Sequence, residues 1–513
     1  MYKIEEDCLI FDNLYEGPFN NEVKELLKTV NTIIFESNSH NNSIFNELLL
    51  PGDIPDNITG IKFSSDYNQP ILANSLPDSI KELYFGKKFN QELKNLPKYL
   101  ESLYFSYESE YNKPIEKGVL PESLEKLSLG GHYNVQIMPG TLPSSLKILY
   151  ITGYYNHEFL EGSLPDSITH LDFEGYFNQP LTKNNLPKNI KGIIFQDGCD
   201  FNQSIDNLPC GIEFINFADN FNQKVDNLPN SINTLVFDTE FNQPIDMLPN
   251  SMKEIIFSSS SKFNQPIDNL PNSLEYLDLS NKFDKLIRHG ALPESLKTII
   301  FGDNYNQEIV KNLFPETLEN LKFGSGFKGV LEPEVLPKFL KSLSFGKFYN
   351  KSINVGVLPN MLEKIKFSES YNQKIIPYSL PDSLKYIEFG EKFNKELLPG
   401  MLPDSLEILI LGSGFEYPLT SKILPKSLKE IYLSFHYKHD INDLPDSIEK
   451  ICIGAKPKED ESEYKREWKH SSAIYFDKII LNLPKNLKEF VIFESYAYID
   501  DLKKLLDDKL III

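Results

Sequence analysis

The sequence predicts a β-rich, right-handed solenoid of short stacked coils, with a parallel strand ribbon and few long helices. Three observations carry that prediction. A Pro anchor, nearly always Leu-Pro, returns from Pro55 to Pro445 at a spacing of 22 residues, broken by four gaps of 20 and one of 24. Behind each anchor comes an apolar trio, such as Ile80, Leu83 and Phe85, or Ile232, Leu235 and Phe237. A Phe or Tyr, usually followed by Asn, closes the phrase, as in Phe241-Asn242. A unit this short cannot bury an apolar face alone, so neighbouring units must stack.

Each part of the unit has its own physical reading. The last two members of a trio alternate, which marks a short strand with one face buried. Length changes of two residues alter a loop and leave that alternation intact. The aromatic recurs at Tyr67, Phe89, Tyr111 and onward to Phe415 and Tyr437, and predicts an internal column of rings. Such contacts contribute roughly 0.5–1.5 kcal/mol per pair beyond burial. The Asn that follows both donates and accepts, so it can tie one coil to the next. Asp284, Lys328, Glu416 and Lys438 replace it, and looser turns are expected at the last three. Pro removes a donor and pushes its predecessor to extended geometry. The returning side of each coil should then be extended, with at most one helical turn. A Ser two residues after the Pro (Ser79, Ser123, Ser167, Ser231) is placed to cap that turn.

Four regions are expected. Residues 1–50 read as an N-terminal cap of degenerate repeats, with Leu9-Ile10-Phe11, Phe19-Asn20, Val30, Ile33 and Phe35, and a polar loop near Ser37–Ser43. Residues 51–454 are the repeat solenoid, expected to be one elongated domain. Residues 455–470 are charged, lack apolar periodicity and read as a solvent loop. Residues 471–513 hold the last repeat and a C-terminal capping helix, with Leu502, Leu505, Leu506 and Leu510 on one stripe.

The phrase Phe-Asn-Gln-Pro-Ile, at Phe241–Ile245 and Phe263–Ile267, joined to Leu-Pro-x-Ser-Leu/Ile, resembles the FNIP repeat of amoebae and the giant viruses that infect them. The stretch Leu120 to Leu129 also resembles the short leucine-rich repeats of bacterial effectors. The resemblance implies a leucine-rich-repeat-like fold and a binding scaffold rather than an activity. Some relatives carry an N-terminal F-box and serve as substrate receptors of a ubiquitin ligase. A folded three-helix bundle within residues 1–50 would support that role here, and strands would remove it.

Composition narrows the function classes. The formal charge is −21, from 73 acids against 52 bases, and Arg288 and Arg466 are the only arginines. Such a surface repels a phosphate backbone, so nucleic acid is not the expected partner. No apolar run approaches the roughly eighteen residues of a membrane span, and the acidic N-terminus is unlike a secretory signal. Cys8, Cys199, Cys210 and Cys452 show no paired spacing, although a Cys199–Cys210 bridge is conceivable. Reduced thiols and a cytoplasmic monomer are expected. His436-x-x-His439 has no third ligand at a recognisable spacing, and Gly130-Gly131 and Gly324-Ser325-Gly326 lack the Lys-Ser or Lys-Thr of a phosphate loop. No metal, cofactor or catalytic site is expected. A carbohydrate-active β-solenoid is the enzymatic alternative, but the strand-centre acids Asp172, Asp278 and Glu388 lie several coils apart.

One feature stands above this background. The middle residue of each strand should point outward, and apolar side chains gather there and in an adjoining column at Ile194, Phe214, Val236, Ile256, Tyr276 and Ile300. These are the expected partner-binding residues, because exposed apolar patches tend to mark interaction sites. β-propensity alone, or a flank covering the face, would also account for them.

Overall fold

The structure, a computed structural model, describes residues 2–35, 44–434, 436–457, 464–466, 476–492, 496–506 and 509–512. It forms two compact units, Met1–Ser261 and Lys262–Ile513. The expected polar loop near Ser37–Ser43 lies outside the described residues.

One coil shows why this sequence folds as it does. The Pro229 carbonyl accepts the Ile232 N–H at 3.1 Å, closing a tight turn rather than a helix. The strand Thr234–Phe237 follows, in parallel register with Phe214–Asn216 before it and Glu254–Phe257 after it. Leu235 and Phe237 point inward and are buried, together with Ile232, Phe241 and Ile245. Val236 between them points outward and is half-buried. Such Pro-carbonyl turns recur at Pro55, Pro77, Pro97 and onward to Pro484.

Two aromatic columns fill the interior. The expected column runs in the first unit through Tyr67 and Phe89, 6.3 Å apart and inclined by 1°, to Phe221 and Phe241, 6.0 Å apart and inclined by 1°. In the second unit it includes Phe327 and Tyr349, 5.9 Å apart and inclined by 2°. The strand Phe of a coil lies face to face on that coil's own turn aromatic. Phe85–Phe89 are 3.9 Å apart, Phe217–Phe221 3.8 Å and Phe323–Phe327 4.0 Å. Rings one coil apart cannot touch face to face at about 6 Å, so the strand Phe, in the coils that have one, supplies that contact.

The Asn row is a ladder from coil to coil, broken at replacements such as Lys328. Asn90 N donates to Asn68 Oδ1 at 2.9 Å, Asn112 N to Asn90 Oδ1 at 3.1 Å, and the pattern returns at Asn222, Asn242 and Asn372. The next residue adds a second rung: Gln91, Gln223 and Gln243 donate Nε2 to the preceding coil's Asn. Lys328 has no acceptor for the Asn350 amide, yet the rings on either side stay parallel. The looser turns expected there do not appear in the ring column. One hydrogen bond contributes about 1 kcal/mol net, which is small beside the buried rings. At Glu416 the Lys438 ammonium pairs with the carboxylate instead. Ser79 and Ser231 do not cap their own turns. They donate to the preceding coil, to Ile58 O at 2.7 Å and Ile212 O at 2.6 Å.

The ends depart from the repeat. Tyr2–Glu5 pairs antiparallel with Cys8–Phe11, which runs parallel to Thr32–Phe35. Between them lies the helix Asn21–Leu27, whose N-terminus is capped by Asn20 Oδ1, which accepts the Val23 N–H at 2.9 Å. Phe45, 6.2 Å from Tyr67 and inclined by 4°, already stands in the regular ring column. In the region expected to be a charged loop, Ala455–Pro457 and Tyr464–Arg466 pair as an antiparallel ribbon. Its other residues, 458–463 and 467–470, lie outside the described ones. Near the C-terminus a helix spans Ile499–Leu506 and buries Leu502 and Leu506, while Leu505 is exposed. Leu510 begins a strand, Leu510–Ile512, parallel to Glu489–Ile492, so it does not extend the helical stripe.

Candidate functional site: the outward strand face

The strand register places the six expected residues. In the first unit Ile194 pairs with Asn216, Asn216 with Val236 and Val236 with Ile256, giving one outward column. Phe214 stands in the adjoining column, paired with Gly192. In the second unit Tyr276 pairs with Thr298, and Ile300 with Asp278. All six are half-buried. That is what a parallel face produces, since strands about 4.8 Å apart shade each other's side chains.

Phe214 is held by an absence. A Cβ on Gly192 would meet the Phe214 ring at 2.0 Å, so the ring lies across the glycine. It reaches to 5.8 Å from the His170 ring. Val236 and Ile256 stand in the next column on the strands that follow.

The sequence reading gave less weight to a second group on the same unit. Tyr84 and Tyr104 stack at 4.6 Å and 13°. Tyr104 and Tyr150 sit on either side of Ser128, and their rings close to 6.5 Å above it. Beside Tyr84 a cavity of about 360 Å³ opens where Gly60 carries no side chain, walled by Thr32, Ile34, Lys62 and Glu82. The signal was present in the outward column, because a small residue between two aromatics lets them lean together.

Charge on the face is set by burial. Burial raises the Asp172 carboxyl, against the Gln196 Nε2 that donates to it at 2.9 Å. Burial likewise pushes Asp278 up to about 6, against the pull of Lys322. Glu388 accepts from the Tyr386 hydroxyl at 2.9 Å and faces Lys366 Nζ at 3.7 Å. In the last strands of the second unit the outward column, Ile410, Tyr432, Cys452 and Val491, is buried as a cluster.

The other candidate groups have structural roles. His439 Nε2 is 2.7 Å from the Glu416 carbonyl oxygen. No group of three potential metal ligands occurs among the described residues. The four cysteines are free thiols, Cys199 buried and Cys210 exposed. Burial pushes the Cys199 thiol up to about 12. No helix among the described residues is long and apolar enough to cross a membrane.

The FNIP Repeat profile matches eleven stretches, several of them overlapping, beginning at 45–88 and ending at 415–456. The chain belongs to the FNIP-repeat family. A crystal structure of CroV588, a giant-virus protein described as a novel circular LRR protein, is similar at 29% identity over 96% of this chain and 87% of that one, with a TM-score of 0.74. The Toll–Spatzle complex of Drosophila is similar at 12% identity over 87% of this chain and 62% of that one, with a TM-score of 0.50. YopM from Yersinia enterocolitica WA-314 is 21% identical over 84% of this chain and 93% of that one, with a TM-score of 0.47. No curated protein matches the sequence. The FNIP chain is thus a leucine-rich-repeat-like solenoid, a fold typical of interaction scaffolds.

Proposed function

We propose that this FNIP-repeat chain is a non-catalytic scaffold that holds a protein partner on the outward face of its strands. The observation that carries the reading is the half-buried apolar column of Ile194, Val236 and Ile256, with Phe214 beside it. Burial of such side chains drives association. Tyr276 and Ile300 on the second unit belong to the same proposal. The acid excess argues for a protein rather than nucleic acid. Free thiols favour a reducing, cytoplasmic setting, and we retain a monomer as part of the reading.

The enzymatic alternative loses support. Asp278 and Glu388 belong to one outward column, with Ile300, Lys322, Ser344 and Lys366 between them. Five strand steps put them roughly 24 Å apart, whereas a glycoside-cleaving pair stands about 5–9.5 Å apart. The ubiquitin-receptor alternative fails on its own criterion. Residues 2–35 hold three strands and one helix of seven residues, not a three-helix bundle.

The test is affinity capture from a cytosolic extract with wild type and with Val236→Asp, Ile256→Asp and Tyr276→Asp variants. The expected outcome is a specific band that weakens in the variants while their melting temperatures stay close to wild type. A band unchanged in all three would remove the reading.

A further inference from the structure

Along the turn edge of the first unit, His132, Tyr154 and Tyr176 stand one per coil, each just before a ring of the aromatic column. Backbone rungs fix this row. Tyr154 N donates to Gly131 O, Tyr176 N to Gly153 O and Asp200 N to Gly175 O, each at 2.8 Å. The glycines are required, since Gly153 and Gly175 have φ of +67° and +87°. A Cβ would sit 1.9 Å from Gly131 O in the first case and 2.5 Å from Gly153 O in the second. The backbones therefore touch, and the residues that follow are carried outward in register.

The His132 and Tyr154 rings are 5.2 Å apart, and the Tyr154 and Tyr176 rings 5.3 Å apart and inclined by 7°. Tyr154 is 49% exposed and Tyr176 54%. The stack ends there, because the next rung carries Asp200. Tyr176 and Asp200 share a cavity of about 410 Å³ with Asn156, Asn178, Asn202 and Asn220. Its wall is rigid: Asn178 Oδ1 accepts from Asn202 N at 2.9 Å and Gln203 Nε2 at 3.0 Å. Asp200 Oδ1 accepts from Asn220 Nδ2 at 3.0 Å, and no donor reaches Oδ2 among the described residues.

We propose that this cavity binds the guanidinium group of an arginine presented by a protein partner. A planar cation suits both walls. It continues the ring stack on the open side of Tyr176, and its N–H groups reach the uncommitted oxygen of Asp200. The net charge of −21 draws cations toward the surface. A lysine ammonium lacks the plane. A nucleobase would stack, but its phosphates would meet the carboxylate. The site lies on the turn edge, so it neither needs nor excludes a partner on the strand face.

Calorimetric titration of the full chain with acetyl-Gly-Arg-Gly-amide tests the proposal, with the matching lysine peptide and adenosine alongside. The arginine peptide should bind, and Asp200→Asn should weaken it by about tenfold or more, the loss of a charge-assisted hydrogen bond. Tyr176→Ala should weaken it by about fivefold, the loss of a cation–π contact. Tyr176→Leu replaces the alanine variant if circular dichroism shows that the latter has lost its fold. The lysine peptide should bind less tightly than the arginine peptide. No binding of the arginine peptide, equal binding of the lysine peptide, tighter binding of adenosine, or affinity unchanged in both variants would each overturn the assignment.

Discussion

In Met1–Ser261 the outward strand column is richer in apolar and aromatic residues, with Tyr84, Tyr104, Tyr150, Ile194, Val236 and Ile256 alongside Lys62, Ser128, Asp172 and Asn216. In Lys262–Ile513 it passes through Asp278, Ile300, Lys322, Ser344, Lys366 and Glu388, mostly polar, before turning apolar and buried at Ile410, Tyr432, Cys452 and Val491. The inward columns of the two units scarcely differ: Phe217–Phe221 in one and Phe389–Phe393 in the other stack at 3.8 and 4.0 Å. An inward side chain must fit two neighbouring coils at once, so its choices are few. An outward side chain meets solvent or a partner and is free to differ. The outward faces of the two units therefore differ where their cores do not.

If the two units have cores of the same kind, equivalent truncations must cost the same. Phe221→Ala and Phe393→Ala should each destabilise their unit by about 3–5 kcal/mol, as large cavities do, read from denaturant unfolding followed by hydrogen exchange. A cost twice as large in one unit as in the other would break the comparison.

The first unit's face depends on a missing Cβ. Gly192→Ala should dislodge the Phe214 ring and cost about 1–3 kcal/mol through overpacking. Thermal unfolding reads the loss, and Phe214→Ala in the same chain should recover most of it.

Among the described residues, nothing hydrogen-bonds the buried hydroxyls of Tyr349 and Tyr371. Tyr349→Phe should be neutral or raise stability by about 1 kcal/mol, because an orphaned polar group costs about that much. A clear loss on thermal melting would reveal a bound water or partner for the hydroxyl.

The second unit's charged face yields the smallest effect. The Asp278 carboxyl lies at about 6 when folded, above its ordinary 3.8. The folded state therefore disfavours the ionised form. This penalty is full above the folded value, and it fades as the pH falls from about 6 toward 3.8. Asp278→Asn should stabilise the chain by roughly 1 kcal/mol at pH 7.5, after discounting for partial solvent screening. The gain should be largely gone at pH 4. A gain that is equal at both pH values would contradict burial as the cause.

The sequence made the strands, the ring column and the Asn ladder legible, because each repeats at a fixed place in the unit. Partner directions were not legible. Ser231 recurs beside a turn, and only the stacked coils show that it bonds Ile212 of the coil before. Phe217 and Phe221 hold separate places in the repeat, while their face-to-face contact depends on how one coil closes. On the candidate face the alternation located Ile194, Val236 and Ile256. The lean of Tyr104 and Tyr150 over Ser128, and the Phe214 ring lying across Gly192, required the register. The burial of the outward column at Ile410 and Tyr432 was out of reach, since periodicity does not tell which outward residues lose contact with water.

Hydroxyl-radical footprinting of the chain, alone and with its captured partner bound, tests the central claim most directly. The account predicts reduced labelling at Phe214, Val236, Ile256 and Tyr276 in the complex, with the buried rings unlabelled in both states. Unchanged labelling at those four side chains, with protection confined to the Pro-turn edge, would contradict it.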